Sequence, residues 1–320
     1  MPTPSPTPTS GAASGPVRKG ILRREDPEAL GLLRILLVAV FTASMLTHVG
    51  AVAEYFSDAS PLYGDYARRA FPSRFSLFFY VRDPWAVRIV YAAGVLAHLA
   101  WLVGLFTEVA AAAAVLVWIS MVGRNPLLYS LPDQLHTALA LLLAAMPSGR
   151  GLSLDARLRG KRRPVPVWCR WIVQLQMGVL YTATGLLKTG KPWHGDGTAI
   201  YYALVNPYNR HFDLAPWLAR IQPWILRPAT YLVLMWEIVF GAFVVQNWVR
   251  EAWRRRLRGS VGRWLAVDLR PVFLGFGVLM HLSIQFMLYV AFFTPLCIAS
   301  YAAFLEPDEV RRLLARCRRR

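Results

Sequence analysis

Long apolar blocks almost free of charge, separated by basic linkers, constrain this chain more than any other feature of its sequence. A soluble core helix needs only one apolar face. A hydrocarbon layer about 30 Å thick demands runs of about 20 residues that are apolar all round. Backbone groups inside lipid must also bond within the protein, which leaves helices or closed barrels. The blocks therefore predict an all-α, polytopic transmembrane helix bundle of about eight spans, at 30–52, 85–105, 109–122, 134–147, 167–187, 229–247, 271–288 and 289–305. The third and fourth are short for a full crossing, so tilt, extension through the Gly123–Asp133 bend or burial within the bundle is expected. Phe106, Thr107 and Glu108 are expected to form the tight turn between the second and third. The last two blocks form one apolar stretch containing Pro295. It reads either as two crossings or as one long broken helix with a re-entrant piece.

Charge placement sets the expected orientation. Only 17% of residues are charged, against about a quarter in ordinary soluble domains, yet the net charge is +18. The segments 1–28, 147–166, 248–270 and the stretch after 305 hold 23 of the 36 Lys and Arg, and the alternate loops hold 10. Such asymmetry is the positive-inside signature, and it predicts both termini in the cytoplasm, N-in and C-in. The basic surplus then reads as a collar facing anionic lipid headgroups rather than as a nucleic-acid surface. A cell (plasma) membrane location follows, and high Ala and Arg usage hints at a bacterial source.

Residues 1–28 form a polar, basic tail whose first twenty residues are rich in Pro, Ser, Thr and Gly, a composition that predicts disorder. No apolar region follows the start directly, so the first block is expected to be an uncleaved anchor. Residues 29–307 constitute the transmembrane domain, and 308–320 a basic cytoplasmic tail. No internal repeat marks an inverted-repeat transporter. Cys169, Cys297 and Cys317 include no CxxC pair, which argues against a disulfide-relay oxidoreductase. His48, His136 and His194 lack metal-ligand spacing, so no metal site is expected. The glycines from Gly190 to Gly197 lack the strand and the Gly-Lys-Ser/Thr ending of a phosphate loop.

Chemistry concentrates at the end of the fifth block. Gly178, Ala183 and Gly185 suit close packing against a neighbouring helix. The block ends at Lys188, on the outer side in the expected topology. Beyond a Gly/Pro turn, Asp196 is placed to cap a short helix carrying Thr198, Tyr201 and Tyr202. Trp193, Tyr201 and Tyr202 suit the membrane–water interface. A lysine at a helix end is ordinarily a snorkelling anchor. Its alternative role is a desolvated base, because apolar surroundings favour the neutral amine. Arg34 and Glu237 lie inside apolar blocks, where a charge costs at least ~2.5 kcal/mol, so each needs an inward-facing partner. His281 is ordinarily a hydrogen-bonded packing residue, with a site role as the alternative.

The run Thr-Gly-Leu-Leu-Lys-Thr-Gly-Lys-Pro-Trp-His-Gly-Asp-Gly around Lys188 resembles the signature of HTTM-domain proteins, the membrane part of vitamin K-dependent gamma-carboxylases. Their motif reads Ala-Gly-x-Lys-Lys, five residues before a Trp, and its second Lys deprotonates the vitamin K hydroquinone. Lys188 and Trp193 fall in that register, while Leu187 replaces the first Lys. His281 and the ending Phe304-Leu305-Glu306-Pro307 match a second family stretch, and Arg34, Glu237 and Pro147–Asp155 sit where the family carries similar residues. The resemblance implies catalytic roles for Lys188 and His281, with Trp193, Asp196, Tyr201, Glu237 and Arg34 as substrate- or quinone-site candidates. It further implies a carboxylase-like lyase using a reduced vitamin K or menaquinol-like quinone and acting on a secreted peptide at the outer face. Short bacterial members include a protein resembling a maturation factor for a secreted sporulation-delaying toxin. A non-catalytic peptide-maturation or export partner, or a structural or transport bundle, is therefore the competing expectation.

Overall fold

Apolar blocks bounded by capping residues fold here into nine principal helices, shown by a computed structural model that describes residues 22–62, 64–253 and 259–317. They are α1 (Glu28–Leu46), α2 (Pro84–Val103), α3 (Thr107–Arg124), α4 (Leu131–Ala144), α5 (Trp168–Leu187), α6 (Arg227–Trp253), α7 (Arg270–Met287), α8 (Phe293–Ser300) and α9 (Pro307–Cys317). The disorder expected of residues 1–20 lies outside the described residues. Among the described residues, five helical stretches are long and apolar enough to cross a membrane: Glu28–Phe56, Pro84–Val103, Thr107–Arg124, Ala215–Trp253 and Gly259–Met287. The 20 residues of α5 have the length for a crossing, but Arg170, Gln174 and Gln176 interrupt their apolar character.

Local chemistry sets the helix ends. Asp83 caps α2 by accepting from the N–H groups of Trp85 and Ala86 at 3.0 and 2.9 Å, and Pro84 fills the first helical position. Gly104 ends the helix at φ +72°, a conformation that costs glycine nothing. The turn into α3 is therefore Gly104–Phe106, earlier than expected, and Thr107 and Glu108 already belong to the helix. Asp155, from a distant segment, accepts hydrogen bonds from the Phe106 N–H (3.1 Å), the Thr107 N–H (2.8 Å) and the Thr107 hydroxyl (2.8 Å). It supplies the cap that α3 lacks in its own sequence.

The apolar stretch around Pro295 resolves into two helices of unequal length. Its break falls at 288–292, where Tyr289 N–H donates to the Asn209 carbonyl at 2.6 Å and Ala291 takes φ +46°. Pro295 is the third residue of α8, where a missing N–H is no loss. A 3₁₀ turn, Tyr301–Phe304, extends α8, and together they reach only about 20 Å. Their buried residues pack inside the bundle, and the Phe304 carbonyl accepts from Arg270 Nη1 at 2.8 Å. The end of this run thus returns to the level of the start of α7.

Charged contacts gather the helix ends into two opposite groups. At one end the strand Arg24–Glu25 pairs antiparallel with Val165–Pro166. Fully buried Arg170 binds Glu25 through two nitrogens (2.6 and 2.7 Å), Glu251 (2.7 Å) and the Ala303 carbonyl (3.0 Å). Arg250 pairs with Glu306 at 3.0 Å, and Arg270 with Glu309 at 2.8 Å. The basic collar is thus partly turned inward, because a desolvated guanidinium is tolerable only with carboxylates and carbonyls around it. At the opposite end lie the loops 47–83, 125–130, 188–226 and 288–292. Buried Arg124 donates there to the carbonyls of Leu62 and Ser57.

Residues 308–317, expected as part of a basic tail, form with Pro307 the amphipathic helix α9 seated on α1 through buried Val310.

Candidate functional site

The seam between α5 and α6 builds the Lys188 site. Gly178, Thr182 and Gly185 follow at helical spacing, so one face of α5 stays narrow. A Cβ on Gly185 would come within 3.0 Å of the Ile238 nitrogen and the Glu237 side chain. Thr182 Oγ1 accepts from the Gly241 N–H at 2.9 Å. Close packing was expected here, but Thr182 takes the place proposed for Ala183, because positions i, i+4 and i+7 share the face.

Near contact at Gly185 brings Glu237 opposite the end of α5. Lys188 Nζ forms an ion pair with Glu237 Oε2 and stands 4.9 Å from the centroid of the Trp193 ring. The ammonium group thus sits between a carboxylate and an aromatic face, both attractive to a cation. Lys188 keeps 23% of its side chain exposed and Glu237 10%, so the pair borders the surface without being freely solvated. Gly190, at φ +96°, turns the chain back over the pair. His194 Nε2 donates to the Lys188 carbonyl at 2.7 Å, and the Tyr231 hydroxyl donates to the Gly195 carbonyl at 2.5 Å.

The remaining candidates separate. Asp196 is exposed and does not cap Ala199–Val205; Thr198 occupies the cap position without a side-chain hydrogen bond. Tyr201 packs edge-on against Tyr202, their centroids 5.7 Å apart. Arg34 neither meets Glu237 nor approaches Lys188. Its guanidinium donates to the carbonyls of Ser148 (2.7 Å), Gly151 (3.3 Å) and Leu152 (2.6 Å), at the opposite end of the bundle. Pro147–Asp155 is accordingly a structural turn docked on α1, and a Cβ at Gly31 would lie 2.4 Å from the Gly151 oxygen.

His281 is fully buried and belongs to a separate polar cluster. Its Nε2 bonds the Tyr181 hydroxyl at 2.7 Å, and that hydroxyl meets the Tyr301 hydroxyl at 2.8 Å. Its carbonyl accepts from Thr294 Oγ1 at 3.0 Å. Tyr181 precedes Lys188 by seven residues on α5, about 10.5 Å along the axis, so the cluster lies deeper on the same helix. Sequence reasoning missed Tyr181 and Tyr301. The available signal was the two-turn spacing between Tyr181 and Lys188.

Comparison with known proteins gives a family. The model of the HTTM domain matches residues 22–254. The chain belongs to the HTTM-domain family. None of the curated proteins and none of the solved structures compared with it matches. In this HTTM protein the matched region contains Arg34, Lys188, Trp193 and Glu237 and ends before His281. Family membership together with its apolar helices makes it a membrane protein in contact with lipid.

Proposed function

We propose that this HTTM protein crosses a bacterial plasma membrane eight times, with both termini in the cytoplasm, and that Lys188 acts as a base on a secreted peptide pathway at the outer face. Excess Lys and Arg in the linkers at one end support the orientation. The observation carrying the chemical reading is the Lys188–Glu237 pair beside Trp193. As a base, the lysine must lose its proton before it can take another. Glu237 is placed to receive and return that proton, so the pair passes between ionic and neutral forms without change of net charge. Leu186 and Leu187, next to Lys188 in the chain, are exposed, which supports access to the pair by an amphiphile. That donor set fits a hydroquinone, which, when bound, would supply with oxygen the strong base of a carboxylase-like lyase. Lys188 and Glu237 would hold its hydroxyl, with Trp193 over the site. His281 is proposed as a positioning group acting through Tyr181.

A second reading has its own support in the same contact. A lysine already engaged by a carboxylate and an indole is a complete structural anchor, as a non-catalytic maturation or export partner would need. Lys188→Arg separates the two readings. Guanidinium keeps the ion pair and the ring contact but cannot serve as a base near neutral pH. Mass spectrometry of secreted peptides from wild-type, deletion and Lys188→Arg cells is the test. The base reading predicts that Lys188→Arg matches the deletion strain while expression and insertion persist, and that the lost mass names the reaction. A Lys188→Arg strain whose peptides match wild type rejects the base role.

A further inference from the structure

At the end opposite Lys188, a cavity of about 980 Å³ opens between the end of α2, the Leu152–Arg157 segment and α9. Val103, Leu152, Leu154 and Leu314 give it apolar walls, and Arg157, Arg162 and Arg311 line it with charge. Arg162 pairs with Glu28, which also lines the cavity, and Arg311 with Asp26 and Asp308. Arg157 is exposed, and among the described residues no carboxylate lies within ion-pair distance of it.

Two further features bear on what would fill the cavity. Ile89, Leu96, Leu99 and Val103 are exposed along one face of α2, opposite its buried Tyr91, Gly94, His98 and Trp101. This stripe ends in the cavity wall at Val103. In α9, Val310, Leu313, Leu314 and Cys317 share one face, yet only Val310 is buried on the bundle. Of the others, Leu314 lines the cavity while Leu313 and Cys317 are exposed, the face an interfacial amphipathic helix presents to acyl chains.

We infer that this cavity binds an anionic glycerophospholipid, its phosphate at Arg157 and an acyl chain running under α9 along the exposed face of α2. An isolated guanidinium at the mouth of an apolar cleft suits a phosphodiester, and basic pockets beside transmembrane helices suit anionic headgroups. A soluble anion would use the arginines but leave the apolar walls and the α2 stripe uncovered. The proposal rests on membrane embedding alone and is independent of any chemistry at Lys188.

Native mass spectrometry of the full chain in neutral detergent, with phosphatidylglycerol or phosphatidylcholine of matched acyl chains, tests it. Wild type should retain phosphatidylglycerol about fivefold over phosphatidylcholine, and Arg157→Gln should remove most of that preference. Leu314→Trp, which narrows the cavity, should lower retention of both lipids. Circular dichroism and gel filtration check that each variant folds, and Arg157, with no side-chain partner to lose, is the variant least dependent on that check. Lys188→Arg should retain lipid as wild type does, whatever its effect at the other site. Equal retention of the two lipids by wild type, or an unchanged preference in Arg157→Gln, overturns the proposal. Thermal protection by inorganic phosphate equal to that by phosphatidylglycerol also overturns it, by making a soluble anion the ligand.

Discussion

Lys188 and Glu237 are each recognisable in the sequence as charges in apolar surroundings, but nothing in a one-dimensional reading joins residues 49 positions apart. Their meeting depends on Gly185, which lets α5 and α6 approach closely enough for a short carboxylate to reach the helix end. Removing one partner leaves the other desolvated and unpaired, a loss on the order of 1–3 kcal/mol. Lys188→Gln and Glu237→Gln should each destabilise the protein by about that amount, while the double variant costs less than the sum. Thermal unfolding in detergent of the two single variants and the double variant measures the coupling. Strict additivity would show that the ion pair contributes nothing to stability. The same logic applies deeper in the bundle. Tyr181→Phe deletes the hydroxyl that both His281 and Tyr301 use, and should cost about 1–3 kcal/mol for the buried polar atoms left behind. His281 was legible as a histidine in an apolar block, yet its partner was not, because nothing local in the sequence joins residues 100 positions apart.

Helix positions were legible to within a few residues because apolar runs and their Asp, Pro and Gly punctuation are local. One boundary that differed was set by a distant residue. The start of α3 is fixed by Asp155, 48 residues beyond Thr107. Burial alone would raise the Asp155 carboxyl above the ordinary range, but hydrogen bonds from Thr107 and Phe106 outweigh it and hold the carboxyl below that range. A depressed carboxyl contributes stability that is fully present above its unfolded value, about 3.9, and is lost as the pH falls through the folded value. Asp155→Ala should therefore cost about 1–2 kcal/mol at neutral pH, the usual loss for an N-cap. Below about pH 3.5 the difference from wild type should shrink, since protonation takes the same acceptor away. A difference that stays constant from pH 7 to pH 3 would mean that the carboxylate charge plays no part in the cap.

Across the whole molecule, the sequence pattern announced an all-helical membrane bundle but not which arginines face lipid. Arg170, Arg250 and Arg270 are buried where Glu25, Glu251, Glu306 and Glu309 reach them from the first strand, the end of α6 and the start of α9. Those ion pairs join the beginnings of α1, α5, α7 and α9 to the end of α6, so one end of the bundle is a single charged layer. The opposite end carries Lys188 and exposed aromatics such as Tyr208, Trp217 and Trp224, an interfacial belt. Both ends can be probed with thiols already present or easily added. Cys169 and Cys297 are buried, while Cys317 on α9 is exposed in the charged layer. Tyr208, 91% exposed, lies in the Lys188 end. In intact cells, a membrane-impermeant maleimide should label Tyr208→Cys at once and leave Cys317 unreacted until the membrane is permeabilised. The reverse pattern would place Lys188 in the cytoplasm, where no secreted peptide could reach it after export. If the proposed topology holds, the two thiols report opposite sides, and labelling of both in intact cells would mean that the bundle does not separate them by a bilayer.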